Sequence, residues 1–181
     1  MRWIPFVILI YVAVLLQVAV GALPVQFSLT GNIAPDITAI IAVFFALSLR
    51  DPRDAMMSAW SLGLAMDLML CGMGGAVTAV GPMAIAYTLG AGVIFRVREA
   101  FFRERALTKA LLTLLFCLVV HSLWATMQTI LSFAWSAWWP AITKAIGISI
   151  YTAVMAPLVC MVLERCGGWF IAAPARRLRR R

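Results

Sequence analysis

Charge is what this sequence has least of. Only 12% of its 181 residues are Asp, Glu, Lys or Arg, against 64% hydrophobic, where a soluble domain carries about 25% charged and roughly 45–50% apolar residues. A chain so poor in charge cannot wrap its apolar residues in a polar surface. A soluble globular domain is therefore excluded, and lipid is the solvent implied. The length accommodates one membrane domain and leaves no room for a separate soluble enzyme domain.

Chemistry-bearing residues are scarce as well. A single histidine, His121, cannot build a histidine metal site. The four cysteines, Cys71, Cys117, Cys160 and Cys166, follow no metal or disulfide spacing and read as small packing residues. There is no glycine loop ending in Lys-Ser/Thr to cradle a phosphate, no His-Glu-x-x-His, and no Gly-x-Ser-x-Gly elbow to go with His121. No cofactor and no metal are expected. The apolar runs lack the period-2 alternation of a β-barrel, and no inverted repeat of the transporter kind is evident.

What is there is six apolar segments, at about 4–22, 33–49, 55–71, 75–95, 107–133 and 141–163. A hydrocarbon core of roughly 30 Å needs about 17–25 helical residues, so the second and third segments are short and call for little tilt or for shielding by neighbours. The expectation is an all-α membrane protein of six transmembrane helices over 1–165, followed by a basic cytoplasmic tail over 166–181. Arg2 and the first apolar run are also features of a signal peptide, but the run is too long for one, so a retained helix is expected.

The basic residues set the orientation. Fourteen of the fifteen lie before the first segment, between the second and third, around the junction of the fourth and fifth, or after the sixth. Lys144, just inside segment six, is the exception. Cytoplasmic loops collect Lys and Arg, so both termini are expected inside the plasma membrane, with the short loops at 23–32, 72–74 and 134–140 outside. The net charge of +8 thus reports topology, and nucleic acid is not an expected partner. Trp135, Trp138 and Trp139 fit the outer interface, and Trp3 and Trp169 the inner one. The five arginines between Ala175 and Arg181 fit a surface anchor on anionic lipids, worth about 1 kcal/mol each.

Polar residues inside the apolar segments carry the functional interest. Asp67 is the sharpest, because a carboxylate at membrane depth costs roughly 2.5–3.5 kcal/mol and must find a partner. Gln17, Asp36, Thr78, His121, Gln128 and Lys144 are expected at similar depth. Gln17, Asp36, Asp67, His121 and Lys144 are proposed to converge on an outer polar cluster, with Lys144 or His121 as the partner of Asp67 or Asp36. The plainer reading is structural. Pro35 suits a first helical turn, and Asp36 can cap the helix that follows. Asp51 or Asp54 can cap segment three, and Arg50 can satisfy the last carbonyls of segment two. Gly63, Gly81, Gly90 and Gly92 allow close helix approach, towards either internal neighbours or a partner. Gly72, Gly74 and Gly75 form a tight turn.

Taken in order, Pro35-Asp36 opening a helix, Leu49-Arg50 closing it, Gly63-x-x-x-Asp67, and the glycines at 72, 74 and 75 resemble the rod-shape-determining membrane protein family MreD. The resemblance covers about Pro35 to Phe95, and the rest agrees in hydropathy alone. It implies a non-enzymatic scaffold of the bacterial wall-elongation machinery, partnered by an MreC-like protein and by a RodA-type glycosyltransferase with its penicillin-binding transpeptidase, around MreB filaments. It also implies a fold like the six-helix substrate-binding component of energy-coupling-factor transporters. That kinship supplies the alternative, a small-molecule-binding membrane subunit whose pocket is the outer polar cluster. A small membrane enzyme using Asp67 and His121 is a third, weaker reading. On the scaffold reading, Pro35, Asp36, Arg50, Gly63, Asp67, Gly72 and Gly75 serve folding or assembly and have no catalytic role.

Overall fold

The computed structural model of the chain describes residues 3–21, 25–27, 31–72, 79–98, 106–133 and 135–170. Six helices follow one another: α1 (Trp3–Gly21), α2 (Ile37–Ser48), α3 (Pro52–Gly72), α4 (Pro82–Val97), α5 (Ala106–Ser132) and α6 (Trp138–Phe170). Between α1 and α2, where a loop is expected, lies a short antiparallel ribbon: β1 (Val25–Phe27) pairs with β2 (Gly31–Ile33), Gln26 opposite Asn32. One turn of 3-10 helix, Trp135–Ala137, leads into α6. Two stretches, Ala106–Ser132 and Trp135–Cys166, are long and apolar enough to cross a membrane.

Helix α2 is the centre of the bundle. It contacts each of the other five helices, and every residue from Thr38 to Leu47 is buried. Its sequence, ITAIIAVFFALS, explains this: apolar all round, it has no face to offer water. Phe45 packs edge-on against Phe6 of α1, with ring centroids 5.2 Å apart. The surrounding helices turn apolar residues outward as well. Ile4, Ile8 and Tyr11 on α1, Ile85 and Leu89 on α4, and Ile150, Val154 and Leu158 on α6 are exposed.

At 12 residues, α2 is only about 18 Å long, whereas the 27 residues of α5 extend about 40 Å. Both ends of α2 therefore fall inside the protein, where water cannot satisfy the free N–H and C=O groups of a helix terminus. At the C-terminal end, Arg98 does so. This buried guanidinium, just past α4, donates from Nη1 to the carbonyls of Ala46 (2.8 Å) and Leu49 (2.5 Å) and lies over the Phe95 ring. Arg50, the residue expected in this role, does not fill it. Arg50 is exposed, and the carbonyls are met instead by Arg98, from the C-terminal end of α4.

Several boundaries move. α2 starts at Ile37 rather than 33, because β2 and Pro35 keep the chain extended up to Asp36. Pro35 consequently precedes the cap and is not in the first turn. α4 starts at Pro82 rather than 75, with proline at N1, where its missing N–H costs nothing. α3 is capped as expected: Asp51 Oδ1 accepts from the N–H of Arg53 at 3.1 Å, with Pro52 at N1. α6 runs to Phe170, past the expected domain boundary at 165. Gly74, Gly75, Thr78 and the tail from 171 lie outside the described residues, as do the side chains of Trp3, Gly72 and Trp169. Trp135 and Trp139 are exposed.

Candidate functional site

Two aspartates are buried in this bundle, and each resolves differently. Asp67 is fully buried near the end of α3. Its Oδ2 accepts from the N–H groups of Gly81 (2.9 Å), Met83 (3.1 Å) and Ala84 (3.1 Å). These are the free donors at the start of α4, whose own cap residue, Gly81, has no side chain to serve them. A carboxylate there also meets the positive end of the helix. Gly81 has φ 122°, in the left-handed region that favours glycine. Gly63, one turn before Asp67 on the same face of α3, makes the approach possible. A Cβ at Gly63 would lie 2.7 Å from Ala84 Cα and 2.8 Å from the Met83 carbonyl oxygen. The spacing Gly63-x-x-x-Asp67 is thus one device: the glycine brings α3 onto the start of α4, and the aspartate caps it.

Asp36 caps its own helix and gathers four others around it. Oδ1 accepts from Ala39 N–H (2.9 Å) and from the Thr38 hydroxyl (2.6 Å). Oδ2 accepts from the Tyr87 hydroxyl of α4 (2.8 Å) and lies 3.6 Å from His121 Nε2 of α5. The backbone N–H of Asp36 donates to Thr152 Oγ1 of α6 (2.9 Å), and that hydroxyl passes its hydrogen to the Ile148 carbonyl (2.7 Å). From α1, Gln17 completes the helix start. Its Oε1 accepts from Ile37 N–H (2.8 Å), and its Nε2 donates to the Pro35 carbonyl (3.1 Å). His121 Nδ1 is 3.1 Å from the Cys117 carbonyl. A carbonyl can only accept, so Nδ1 carries a hydrogen and Nε2 is the nitrogen turned to Asp36.

Beyond this buried start of α2 the bundle holds a cavity of about 400 Å³. Its position follows from the shortness of α2, which stops while α5 and α6 continue. Gln17, Asp36, His121, Trp124 and Lys144 line it, together with apolar residues including Met66, Leu70, Met83 and Ile148. The structure thus brings Gln17, Asp36, His121 and Lys144 around one space. It does not bring Asp67 there: that carboxylate is committed to α4, and His121 faces Asp36 instead. Gln128 does not line the cavity either. Gly90 faces α5, where a Cβ would come within 2.9 Å of Phe116 and Val120 side chains, whereas Gly92 has only the tip of Met56 near it.

Four residues at the site were not expected from the sequence: Thr38, Tyr87, Thr152 and Trp124. Tyr87 carried a faint signal, since a phenol in an apolar run needs a partner for its hydroxyl. Thr38 and Thr152 carried none, because a threonine inside a helix ordinarily bonds back to its own backbone. Among the described residues no cluster of His, Cys, Asp and Glu could hold a metal ion. Set against known proteins, the chain matches no family model, no curated protein and no solved structure.

Proposed function

We propose that this chain is a six-span, non-enzymatic membrane scaffold of the bacterial wall-elongation machinery, of the MreD kind, with both termini in the cytoplasm. The observation that carries the reading is what the residues of the resemblance do. Asp36 caps α2, Gly63 seats α3 on α4, and Asp67 caps α4. A signature made of joints specifies an arrangement of helices and supports a role for shape and surface rather than for a reacting group. The outward apolar residues of α1, α4 and α6 suit a lipid surround, and a central helix with both ends satisfied by protein suits a solvent that offers no hydrogen bonds. On this reading the partners are an MreC-like protein, a RodA-type glycosyltransferase with its penicillin-binding transpeptidase, and anionic lipids at the basic tail.

Two measurements test it. Purification of the tagged chain from its native membrane in mild detergent, followed by mass spectrometry, should recover the MreC-like and penicillin-binding proteins. Recovery of none of them, with the chain intact, would refute the scaffold. The orientation has its own reporters, because Cys71 and Cys166 are exposed while Cys117 and Cys160 are buried. A membrane-impermeant maleimide should label Cys71 from outside and Cys166 only after permeabilisation. The reverse order would refute the proposed topology.

The cavity favours a second reading, a small-molecule-binding subunit of an energy-coupling-factor-type transporter. Its volume lies within the roughly 300–1,000 Å³ of ordinary ligand sites. Co-purification of an ATPase pair with a transmembrane coupling subunit would select it over the scaffold.

A further inference from the structure

His121 makes one hydrogen bond and leaves one nitrogen over. Nδ1 lies 3.1 Å from the Cys117 carbonyl and carries a hydrogen, so in the neutral ring Nε2 has a lone pair to offer. The His121 side chain is only 8% accessible. Its Nε2 has no hydrogen-bond partner among the described residues, yet that atom is not sealed off. It sits 3.6 Å from Asp36 Oδ2, too far for a hydrogen bond. An imidazolium N–H beside a buried carboxylate would close to about 2.7–2.9 Å. Oδ1 of Asp36 has two donors, Thr38 and Ala39, whereas Oδ2 has Tyr87 alone and keeps room for a further one. Two acceptors thus stand side by side with no hydrogen between them, and both residues line the cavity. Trp124 lines it with its ring, because its indole nitrogen is buried.

We propose that this cavity binds a primary ammonium group carried on an apolar body, its N–H groups donated to Asp36 Oδ2 and His121 Nε2. The carboxylate supplies the counter-charge, and an indole ring is the side chain whose face best attracts a cation. Met66, Leu70, Met83 and Ile148 meet the apolar body. An anion would face the Asp36 charge and the Nε2 lone pair. A quaternary ammonium has no hydrogen to give to either acceptor. Lys144 also lines the cavity but is exposed, so it opposes a second positive charge on the ligand and leaves the inner acceptors to the first. The same chemistry has two sources, a free amphipathic amine and the ethanolamine headgroup of a membrane phospholipid. The inference names a ligand class for the cavity on which the transporter reading rests, but it needs no transporter. A chain that binds the amine and recruits no ATPase would keep this site and dismiss that reading.

The test uses the full chain in mild detergent at mildly alkaline pH, where imidazole is neutral and an alkylamine is still charged. It is titrated with hexylammonium, hexyltrimethylammonium and hexanoate, with binding read by native mass spectrometry and by the shift in thermal unfolding. Saturable binding of hexylammonium is expected, and none of the quaternary ion or of hexanoate. His121 is the only histidine in the chain, so nitrogen NMR of the histidine-labelled protein reports on it alone. The delipidated chain should show a neutral ring protonated at Nδ1, and hexylammonium should move the Nε2 resonance and leave Nδ1 in place. His121→Leu should weaken the amine roughly tenfold or more, as loss of a hydrogen bond to a charged group does. His121→Gln, which keeps a side-chain acceptor, should recover part of that loss, and Lys144→Gln should bind at least as well as the wild type. Equal binding of the quaternary ion, no saturable binding of hexylammonium, weaker binding by Lys144→Gln, or a delipidated ring with hydrogen on both nitrogens would overturn the proposal. The NMR and the comparison of ligands use the wild-type chain, so they decide the question even if His121→Leu fails to fold. A phosphatidylethanolamine retained by the wild type and displaced by hexylammonium would assign the site to a lipid headgroup. Hexylammonium binding with no lipid displaced would assign it to a free amine.

Discussion

The two buried aspartates do the same elementary thing, and the difference between them separates framework from site. Asp67 sits on α3 and caps α4, a helix to which it does not belong. Among the described residues, its oxygens accept from backbone N–H groups alone. Asp36 caps the helix it begins, which leaves room for Tyr87, Thr38 and His121 to converge on the same carboxylate from three helices. A carboxylate surrounded by fixed backbone donors locks a joint. One surrounded by side chains on separate helices builds a place whose chemistry can be adjusted, and the cavity lies beside that one.

Substitutions should widen this contrast. Asp67→Ala leaves three N–H groups at the start of α4 without acceptors and should cost most, roughly 2–4 kcal/mol by the cost of lost caps and charged hydrogen bonds. The measurement is the midpoint of unfolding by SDS, and a change under about 0.5 kcal/mol would deny Asp67 its framework role. Gly63→Ala comes next, at about 1–3 kcal/mol for overpacking, since its methyl would meet backbone atoms that cannot rotate away. Asp36→Asn keeps an acceptor for Ala39 and should cost less, about 1–2 kcal/mol. A loss as large as that of Asp67→Ala would erase the distinction between joint and site. Smallest of all is Lys109→Ala. Its ion pair with Glu164 joins α5 to α6, but Glu164 is half exposed, and such pairs are worth about 1 kcal/mol or less.

How much of this was legible in the sequence follows from the range of the forces involved. The six helices were, because each apolar run must be helical to satisfy its own backbone. Asp51 as a cap was legible for the same local reason. Where a group two or more helices away supplies the partner, nothing local in the chain points to it. Arg50 is adjacent to the α2 carbonyls in sequence, yet Arg98 reaches them. Asp67 looked like a partner for His121 or Lys144, yet the start of α4 claims it. The convergence of Gln17, Asp36, His121 and Lys144 could be guessed from depth along the helices. The cavity they line could not, because it exists only through the twelve-residue length of α2, and that length depends on where β2 and Pro35 hold the chain extended. Gly81-Pro82 marks the true start of α4, a signal as local as the glycines before it.

The start of α2 also bears on the order in which the protein is made. Synthesis delivers α2 second among the helices, but the groups that complete its first turn arrive later: Tyr87 with α4, His121 with α5, and Thr152, 116 residues after Asp36, with α6. Until the last helix docks, Asp36 keeps an unmatched N–H and α2 waits as the least finished part of the nascent chain. Completion of the bundle and completion of its central cap are then a single event, so a chain truncated before Thr152 would display to quality-control proteases a defect at its very centre rather than at its end.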